Sequence, residues 1–230
     1  MLFNKKIIAL VPARGGSKGI KFKNLKKIKD KTLVQITSEF IDKCSFIDLK
    51  VLSSDNKKII EHGKKLNYEI VKRNKKLGDD KISDYQVIFH ALNYLKKKNK
   101  YNFDYVIYLQ PTSPIRKKSH LKETLKKLIK QKYDSAWSVS KVSLKYHPLK
   151  SLIINDKKLK LFDKKGKKII ARQMLYSSYI RNGVFYIFNI KKFLKEKTIY
   201  LKKILPSMTN YKVVNIDNKE DLKKAAQNLN

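Results

Sequence analysis

The sequence predicts an α/β fold with a doubly wound, mostly parallel sheet, and two observations support this prediction. Short apolar segments of strand length alternate along the chain with longer segments in which apolar residues recur at helical spacing. The segment DYVIYLQ (104–110) is apolar from Tyr105 to Leu109, which is typical of a strand buried on both faces of a parallel sheet. We therefore expect helices on both faces of a single sheet.

The predicted elements follow one another in the order that this fold requires. Thr32 is predicted to cap the first helix, because its hydroxyl can accept a hydrogen bond from the first turn. The predicted strands are KIIALVPA (6–13), LKVLSSD (49–55), YEIVKR (68–73), DYVIYLQ (104–110), SAWSVSKV (135–142) and GVFYIFNI (183–190). The predicted helices are TLVQITSEFIDKC (32–44), NKKIIEHGKKLN (56–67), YQVIFHALNYLKKK (85–98) and SHLKETLKKLIKQ (119–131). The segment 211–229 is predicted to form a strand, an acidic turn and a closing helix.

The alternation stops near Val142, where short strands with turns at NDKK (155–158) and DKKGKK (163–168) are expected instead. We interpret this stretch as a β-rich arm inserted into the core. The predicted organisation is an α/β core at 1–141, the arm at 142–182, and a return to the core at 183–230. A chain of 230 residues is long enough for one such domain with a small appended unit.

The formal net charge of +36 raises the possibility of a nucleic-acid-binding protein. However, only five of the 55 basic residues are arginine, the side chain that reads bases in a bidentate manner. The lysines are spread along the whole chain, so we favour a solvated lysine surface and expect no nucleic-acid partner. In so lysine-rich a chain, the five arginines, Arg14, Arg73, Arg116, Arg172 and Arg181, are candidates for sites where a planar guanidinium matters.

The sequence also indicates the cellular compartment of the protein. No apolar stretch reaches the ~20 residues that span a bilayer, so we expect no membrane partner. The N-terminal segment lacks the small-residue cleavage site of a signal peptide. Cys44, the single cysteine, excludes an intrachain disulfide and a multi-cysteine metal site. These observations together predict a cytoplasmic protein.

The loop PARGGSKGIKFKN (12–24) follows the first predicted strand and combines glycines with positive charge. Gly15 and Gly16 let backbone N–H groups approach an anion closely, and Arg14, Lys18 and Lys23 add positive charge. The order of residues differs from a P-loop and from G-x-G-x-x-G. The loop therefore predicts a di- or triphosphate site, with a surface turn of a lysine-rich protein as the alternative.

This loop resembles the signature PARGGSKGIPxKN of the acylneuraminate cytidylyltransferases, the CMP-sialic acid synthetases, and further motifs resemble that family in the same order. The resemblance covers the chain from Ile7 to Leu222. The matching segments are LSSD (52–55), KRNKKLGDDKIS (72–83), LQPTSPIR (109–116), HPLK (147–150), RQMLYSSYIRNGVFYI (172–187) and NIDNKEDL (215–222).

The resemblance implies a Rossmann-like nucleotidyltransferase that transfers CMP from CTP to the anomeric hydroxyl of a nonulosonic acid, a nine-carbon 2-keto sugar acid. Pyrophosphate is released, and the expected cofactor is Mg²⁺. Because the sugar hydroxyl is the nucleophile, the protein contributes mainly positioning and charge stabilisation. The inserted arm is implied to form a homodimer and to reach toward the partner's sugar pocket.

The resemblance also implies a role for each matched position. Arg116 is expected to brace the turn between Pro111 and Pro114. The implied catalytic residues are Arg14, Lys18, Lys23 and Asp217. The implied nucleotide-binding residues are Ala13, Arg14, Gly15, Ser17, Asn24, Arg73, Asp80 and Ser83. The implied sugar-binding residues are Gln110, Arg172, Gln173 and Asn182, and the implied metal ligands are Asp217 and Asn215.

The chain departs from the family pattern at three positions. Asn215 replaces the first aspartate of a metal-binding D-x-D, Lys21 replaces a proline of the loop, and Tyr176 replaces a proline of the arm. Since Mg²⁺ often takes only one or two protein carboxylates, Asp217 can suffice. The alternatives are a Kdo-type or GTP-using sugar-acid nucleotidyltransferase, an inactive relative, and a basic nucleic-acid-binding protein.

Overall fold

The structure, a computed structural model, describes residues 3–79, 81–98 and 102–229. Asp80, one of the predicted nucleotide-binding residues, lies outside the described residues. The chain divides into two compact units, one formed by Met1–Ser138 with Asn182–Asn230 and the other by Val139–Arg181. The predicted arm at 142–182 overlaps the second unit.

The described part of the chain contains the following strands and helices. The strands are β1 Ile7–Pro12, β2 Lys27–Ile28, β3 Lys31–Thr32, β4 Leu49–Ser54, β5 Glu69–Lys72, β6 Tyr105–Tyr108, β7 Ser135–Lys141, β8 Leu152–Asn155, β9 Lys158–Leu161, β10 Tyr179–Asn189 and β11 Ile204–Met208. The helices are α1 Leu33–Asp42, α2 Lys57–Lys65, α3 Asp84–Lys97, α4 Lys118–Lys130, α5 Ile190–Glu196 and α6 Lys219–Asn228. Among the described residues, no helix has the length and apolar character that crossing a bilayer requires.

The largest sheet has seven strands in the order β11-β7-β10-β6-β1-β4-β5. Strand β1 pairs in parallel with β4 on one side and β6 on the other, and β5 pairs in parallel with β4. Strand β10 runs antiparallel to β6. The parallel strands therefore direct their carboxyl ends to one edge of the sheet, where open α/β sheets bind ligands.

Alternate residues of the central strands point to opposite faces of the sheet. Ile7, Ala9 and Val11 of β1 pack with apolar residues of α1, α2 and α4 in one buried cluster. Ile8 and Leu10 are equally buried and lie on the other face, where α3 contacts β1. Helices thus cover both faces, which confirms the predicted doubly wound fold.

Side-chain caps explain where several helices begin. Thr32 accepts a hydrogen bond from a backbone N–H of the first turn of α1, as predicted. Ser83 and Gln86 form a capping box at α3, and Asn218 and Asp221 form another at α6. Each cap contributes on the order of 1 kcal/mol to helix stability.

The C-terminal region differs from the prediction. The segment 211–217, predicted as a strand, is irregular, and an edge strand that was not predicted, β11, precedes it. Val214 and Ile216 are buried in a cluster with Ile28 and Leu33. The Ile216 N–H donates to the Thr112 carbonyl at 2.8 Å, so this segment is held by packing and by a turn instead of a strand ladder.

The second unit contains the antiparallel pair β8–β9 and a series of 3-10 turns. Asp156 and Lys157 of its hairpin turn have positive φ angles of 52° and 60°, which two-residue hairpin turns require. His147 is buried, accepts a hydrogen bond at Nδ1 from the Leu149 N–H, and packs edge-on against Tyr176. His147 is therefore structural within this unit, as is Tyr176 at the position where the family has proline.

Arg116 connects the turn after β6 to two other elements. Its Nε donates to the Val184 carbonyl of β10 at 2.9 Å, and Nη2 donates to the Gln110 carbonyl. Nη1 lies 3.4 Å from the Thr37 hydroxyl of α1. Burial lowers the pKa of the Arg116 guanidinium to about 10, so the group stays charged at neutral pH. Arg116 braces the turn, as predicted.

Gly19 allows the basic loop to pack against the C-terminal segment. A Cβ atom at Gly19 would lie 2.4 Å from the Asp217 carbonyl oxygen, closer than a Cβ atom approaches a backbone oxygen. Gly16 of the same loop has no atom within 4 Å of such a Cβ. Of these two glycines, only Gly19 is required for the close packing of the loop against the Asp217 backbone.

We expect R116K to lower the free energy of unfolding by about 1–3 kcal/mol, because a lysine cannot satisfy the Val184 and Gln110 carbonyls together. Urea denaturation measures the change. The exposed Arg172 provides the control, since R172K should stay within about 0.5 kcal/mol of the wild type. Equal stability of R116K and the wild type would show that Arg116 is not a structural brace.

Substitution of the loop glycines tests the contact with the C-terminal segment. G19A should lose about 1–3 kcal/mol of stability because the backbone of Asp217 must move. G16A should lie within about 0.5 kcal/mol of the wild type. Both are measured by urea denaturation, and equal effects at the two positions would argue against the close approach at Gly19.

Candidate active site

A cavity of about 610 Å³ lies at the carboxyl edge of the parallel strands of the first unit. Its walls come from the ends of β1, β5 and β6, the loops that follow them, and the segment before α6. The lining residues are Pro12, Arg14, Ser17, Lys18, Gly19, Lys23, Asn24, Arg73, Leu77, Asp79, Ile82, Asp84, Val87, Tyr108, Gln110, Pro111, Thr112, Asn215 and Asp217.

Backbone hydrogen bonds hold the start of the basic loop in place. The Ala13 N–H donates to the Ser53 carbonyl at 2.9 Å, which extends the β1–β4 pairing by one residue. The Gly15 N–H donates to the Asp55 carboxylate at 3.0 Å. Asn24 is buried, and its Nδ2 donates to the Arg14 carbonyl at 2.9 Å, which closes the loop. Ala13, Gly15 and Asn24 thus shape the loop from which Arg14 reaches the cavity.

Lys23 joins the basic loop to the C-terminal segment. Its Nζ donates to the Ile216 carbonyl at 2.7 Å and to the Asp217 carboxylate at 2.8 Å. The Asp217 side chain is 80% exposed, whereas that of Lys23 is only 14% exposed. The carboxylate is therefore held by an ammonium group and still accessible to solvent and ligands.

Arg73 is buried beneath the cavity with much of its hydrogen-bonding capacity unused. Nη1 donates to the Leu77 carbonyl at 3.2 Å, while Nε and Nη2 are buried without a hydrogen-bond partner in the described structure. Burial lowers the pKa of the Arg73 guanidinium below its ordinary value. Buried donors without acceptors destabilise a protein, so these two N–H groups are available to acceptor atoms of a water molecule or of a ligand.

Tyr108 and Asp84 form a buried hydrogen bond next to Arg73. The Tyr108 hydroxyl donates to Asp84 Oδ1 at 2.9 Å. Burial, with Asp84 as a second cause, raises the pKa of Tyr108 well above its ordinary value, so the phenol stays protonated. Tyr108, Asp84 and Asp79 line the cavity but were not predicted. The only signals in the sequence were a tyrosine at the end of an apolar strand and an aspartate after the cap Ser83.

Three polar side chains converge on Gly183 at the other end of the cavity edge. Gly183 has a φ of +71°, and a Cβ there would lie 2.7 Å from Ser113 Oγ and 2.8 Å from Gln110 Oε1. Ser113 is buried and its hydroxyl donates to Asn215 Oδ1 at 2.7 Å. Glycine is therefore required at position 183, both for the positive φ angle and because a Cβ atom would clash. The missing side chain leaves room for Gln110 and Asn215 to line the cavity.

Among the described lining residues, four cationic side chains lie beside three acidic ones. The cationic lining residues are Arg14, Lys18, Lys23 and Arg73, and the acidic ones are Asp79, Asp84 and Asp217. Of the acidic residues, Asp84 already accepts from Tyr108, and Asp217 from Lys23. A ligand with several negative charges, such as a polyphosphate, complements this distribution.

The donor set at the C-terminal segment fits a hard divalent cation. Ile216 is buried, and the side chains of Asn215 and Asp217 on either side of it both line the cavity. No group of three or more His, Cys, Asp or Glu residues suitable for a metal is found in the described residues. One carboxylate and one amide oxygen suit Mg²⁺ when substrate phosphates and water supply its other ligands.

Most predicted site residues of the first unit line this one cavity. They are Arg14, Ser17, Lys18, Lys23, Asn24, Arg73, Gln110, Asn215 and Asp217. Ser83 caps α3, and Asn182 is buried with its side chain bonded to Thr209 and to the Val184 N–H. Arg172 and Gln173 belong to an exposed turn of the second unit.

Proteins of known name match the chain over most of its length. Residues 8–228 match the family model described as cytidylyltransferase. The pseudaminic acid cytidylyltransferase of Campylobacter jejuni serotype O:2 is 31% identical over 200 residues, 85% of this chain and 83% of that protein. The CMP-N,N'-diacetyllegionaminic acid synthase of Legionella pneumophila is 27% identical over 213 residues, 89% and 87% of the two chains. The N-acylneuraminate cytidylyltransferase of Escherichia coli O18:K1:H7 is longer: a 28% identical match over 196 residues covers 85% of this chain and 45% of that protein.

Solved structures show the same fold at low identity. CMP:2-keto-3-deoxy-manno-octonic acid synthetase, in a complex with CTP, has a TM-score of 0.70 and 13% identity, and the match covers 97% of this chain and 98% of that one. The 4-diphosphocytidyl-2C-methyl-D-erythritol synthase of Anaerococcus prevotii has a TM-score of 0.64 and 16% identity, with 98% and 96% covered. The family model and the Campylobacter relative together show that this chain belongs to the cytidylyltransferase family, in agreement with its sequence motifs.

Proposed function

We propose that the protein transfers CMP from CTP to the anomeric hydroxyl of a nonulosonic acid and releases pyrophosphate. The observation that carries this proposal is the cavity in which four cationic side chains meet Asp217 and the strand-end amide Gln110. This combination suits a nucleoside triphosphate beside a polar sugar. In the reaction the sugar oxygen bonds to the α-phosphorus, the bond from that phosphorus to the pyrophosphate oxygen breaks, and the hydroxyl proton is lost to water.

The triphosphate is proposed to lie along the basic loop. Arg14, Lys18 and Lys23 line the cavity, and Ser17 between them supplies a hydroxyl donor. These groups stabilise the charge that builds up on the departing pyrophosphate. No protein nucleophile is needed, since the attacking oxygen belongs to the sugar.

The cytosine base is proposed to use the free donors of Arg73. Cytosine presents two acceptors, O2 and N3, on its Watson–Crick edge, which match the unpartnered Nε–H and Nη2–H of Arg73. Guanine presents donors at the corresponding N1 and N2 positions, and its own acceptor pair, O6 and N7, lies on the Hoogsteen edge. Arg73 therefore suits the Watson–Crick edge of cytosine, whereas GTP would have to present a different edge of its base.

Asp217 and Asn215 are proposed to hold Mg²⁺, which supplies charge neutralisation at the phosphates when it is bound. Asp217 is paired with Lys23 in the nucleotide-free chain, and Ser113 orients the Asn215 amide through its oxygen. The chain's own contribution is thus to present both side chains toward the cavity in a fixed orientation.

The sugar acid is proposed to bind near Gln110, with Asn182, Arg172 and Gln173 as the other candidates. An arginine is well suited to a carboxylate because its N–H groups form a planar fork. Pseudaminic acid is the first acid to test, since the Campylobacter relative of that name is 31% identical and covers most of both chains.

A homodimer is proposed to form through the second unit. Ile154, Leu159, Phe162 and Ile170 of this unit are exposed by 65–92% of their surface. Exposed apolar groups in such number are typical of an interaction surface. Analytical ultracentrifugation of the purified chain tests this, and a monomer at micromolar concentration would contradict it.

Pyrophosphate release with Mg²⁺ tests the function directly, with CTP and GTP crossed against Neu5Ac, legionaminic, pseudaminic and Kdo acids. We expect release with CTP and one nine-carbon acid. Release only with GTP would overturn the cytidine assignment, and release with Kdo alone would change the sugar class. No release from folded protein with any pair would refute the proposed activity.

R73K should raise the KM for CTP by about tenfold or more, because one ammonium cannot replace two fixed donors to the base. Its stability should hardly fall, since Nε and Nη2 have no hydrogen-bond partner in the described part of the chain and a lysine can still donate to the Leu77 carbonyl. Steady-state kinetics with CTP varied gives KM, and urea denaturation gives stability. K57M, at the exposed start of α2, is the control for loss of a cation, and an equal rise in KM in both variants would contradict the role of Arg73.

A further inference from the structure

We infer that Lys23 stands in for the divalent cation at Asp217, so that the chain takes up a metal ion only together with its nucleotide. The inference rests on the proposed function and adds an order of events to it. Lys23 acts in it as a positioning residue for the metal, in addition to its proposed contact with phosphate. Two contacts carry the inference: the ion pair of Lys23 with Asp217 and the hydrogen bond of Ser113 with Asn215.

The first contact is the ion pair between Lys23 and Asp217. Nζ lies 2.8 Å from Asp217 Oδ1 and is fixed a second time by the Ile216 carbonyl at 2.7 Å. The ammonium group is therefore held on the carboxylate by the backbone as well as by charge. A divalent cation that binds Asp217 must either displace this ammonium group or accept its repulsion at close range.

The second contact is the hydrogen bond between Ser113 and Asn215. The Asn215 side chain carries no charge, and its Oδ1 already accepts from the buried Ser113 hydroxyl at 2.7 Å. Asn215 can therefore offer a metal only the remaining lone pair of a neutral oxygen. Asp217 is left as the single carboxylate of this pair, and Lys23 compensates its charge.

The other described carboxylates of the cavity, Asp84 and Asp79, are engaged with other donors. Asp84 accepts the hydrogen bond from Tyr108, and Asp79 accepts from the backbone N–H of Lys81. Without a nucleotide, Lys23 therefore stays on the one carboxylate of the C-terminal segment, and a cation that approaches Asp217 meets the positive charge of this ammonium group. A triphosphate brings negative charge, pairs with Lys23, and frees Asp217 for the metal. Metal binding and nucleotide binding are thereby coupled.

Titration of nucleotide-free protein with Mn²⁺, with free Mn²⁺ read by electron paramagnetic resonance, tests the inference without any turnover. We expect the wild type to bind Mn²⁺ with a Kd of about 1 mM or weaker. K23M should bind at least about fivefold more tightly because the competing ammonium group is gone. N215D should bind at least about tenfold more tightly because it adds a carboxylate.

Two control variants separate the role of Lys23 from general charge. K23R keeps a cation beside Asp217 and should bind Mn²⁺ as weakly as the wild type. K21M removes an exposed lysine of the same loop and should change the Kd by less than about twofold. Circular dichroism establishes that each variant is folded. Should K23M fail to fold, K23Q, which also removes the ammonium group but keeps a polar side chain, takes its place in the comparison.

Tight Mn²⁺ binding by the nucleotide-free wild type, at about 10 µM or below, would overturn the inference. So would equal effects of K23M and K21M, or a Kd for N215D that matches the wild type. A further titration adds α,β-methylene-CTP, and proton relaxation enhancement should then report protein-bound Mn²⁺. If this nucleotide does not bind at all by calorimetry, the proposed function fails, whereas the nucleotide-free series still judges the role of Lys23.

Discussion

The parallel pairing of β1 with β4 on one side and β6 on the other is the constraint on which the rest of the site depends. Leu10 of β1 lies opposite Val51 in one neighbour and Tyr108 in the other, so the three strands end close to the same level. The residues that follow them, in the basic loop, at Asp55 and at Gln110, consequently meet at one edge. Without this register, the cationic side chains would have no common cavity.

The C-terminal segment closes the cavity without belonging to the sheet. Ile216 is buried against α1 and β2 and bonded to Thr112, while Lys23 and Gly19 fasten the basic loop to the same stretch. Since these contacts come from three distant parts of the chain, a shift in any one of them displaces Asp217. The close packing around Gly183 and the hydrogen bonds of Arg116 limit such shifts at the turn after β6.

The groups that suit the cavity for ligand binding also lower the stability of the ligand-free protein. Arg73 is withdrawn from water with two donors unsatisfied, and the cationic groups near it repel one another. Such groups destabilise the free protein, and a ligand that supplies acceptors and negative charge reverses the effect. In the same way, the Lys23 ammonium group compensates the charge of the Asp217 carboxylate.

The sequence by itself determined the α/β class, the alternation of strands and helices, and the loops that carry the site, because these depend on local periodicity and on short motifs. It also indicated Arg14, Lys23, Arg73 and Asp217, although Tyr108 and Asp84 were missed and a strand was placed wrongly at 211–217. Only the tertiary structure decided how the side chains are paired. Lys23 meets Asp217 across 194 positions of sequence, and Ser113 meets Asn215 across 102. Contacts of such separation leave no periodic pattern in a sequence, because they arise only when the packed sheet brings the loops to one edge.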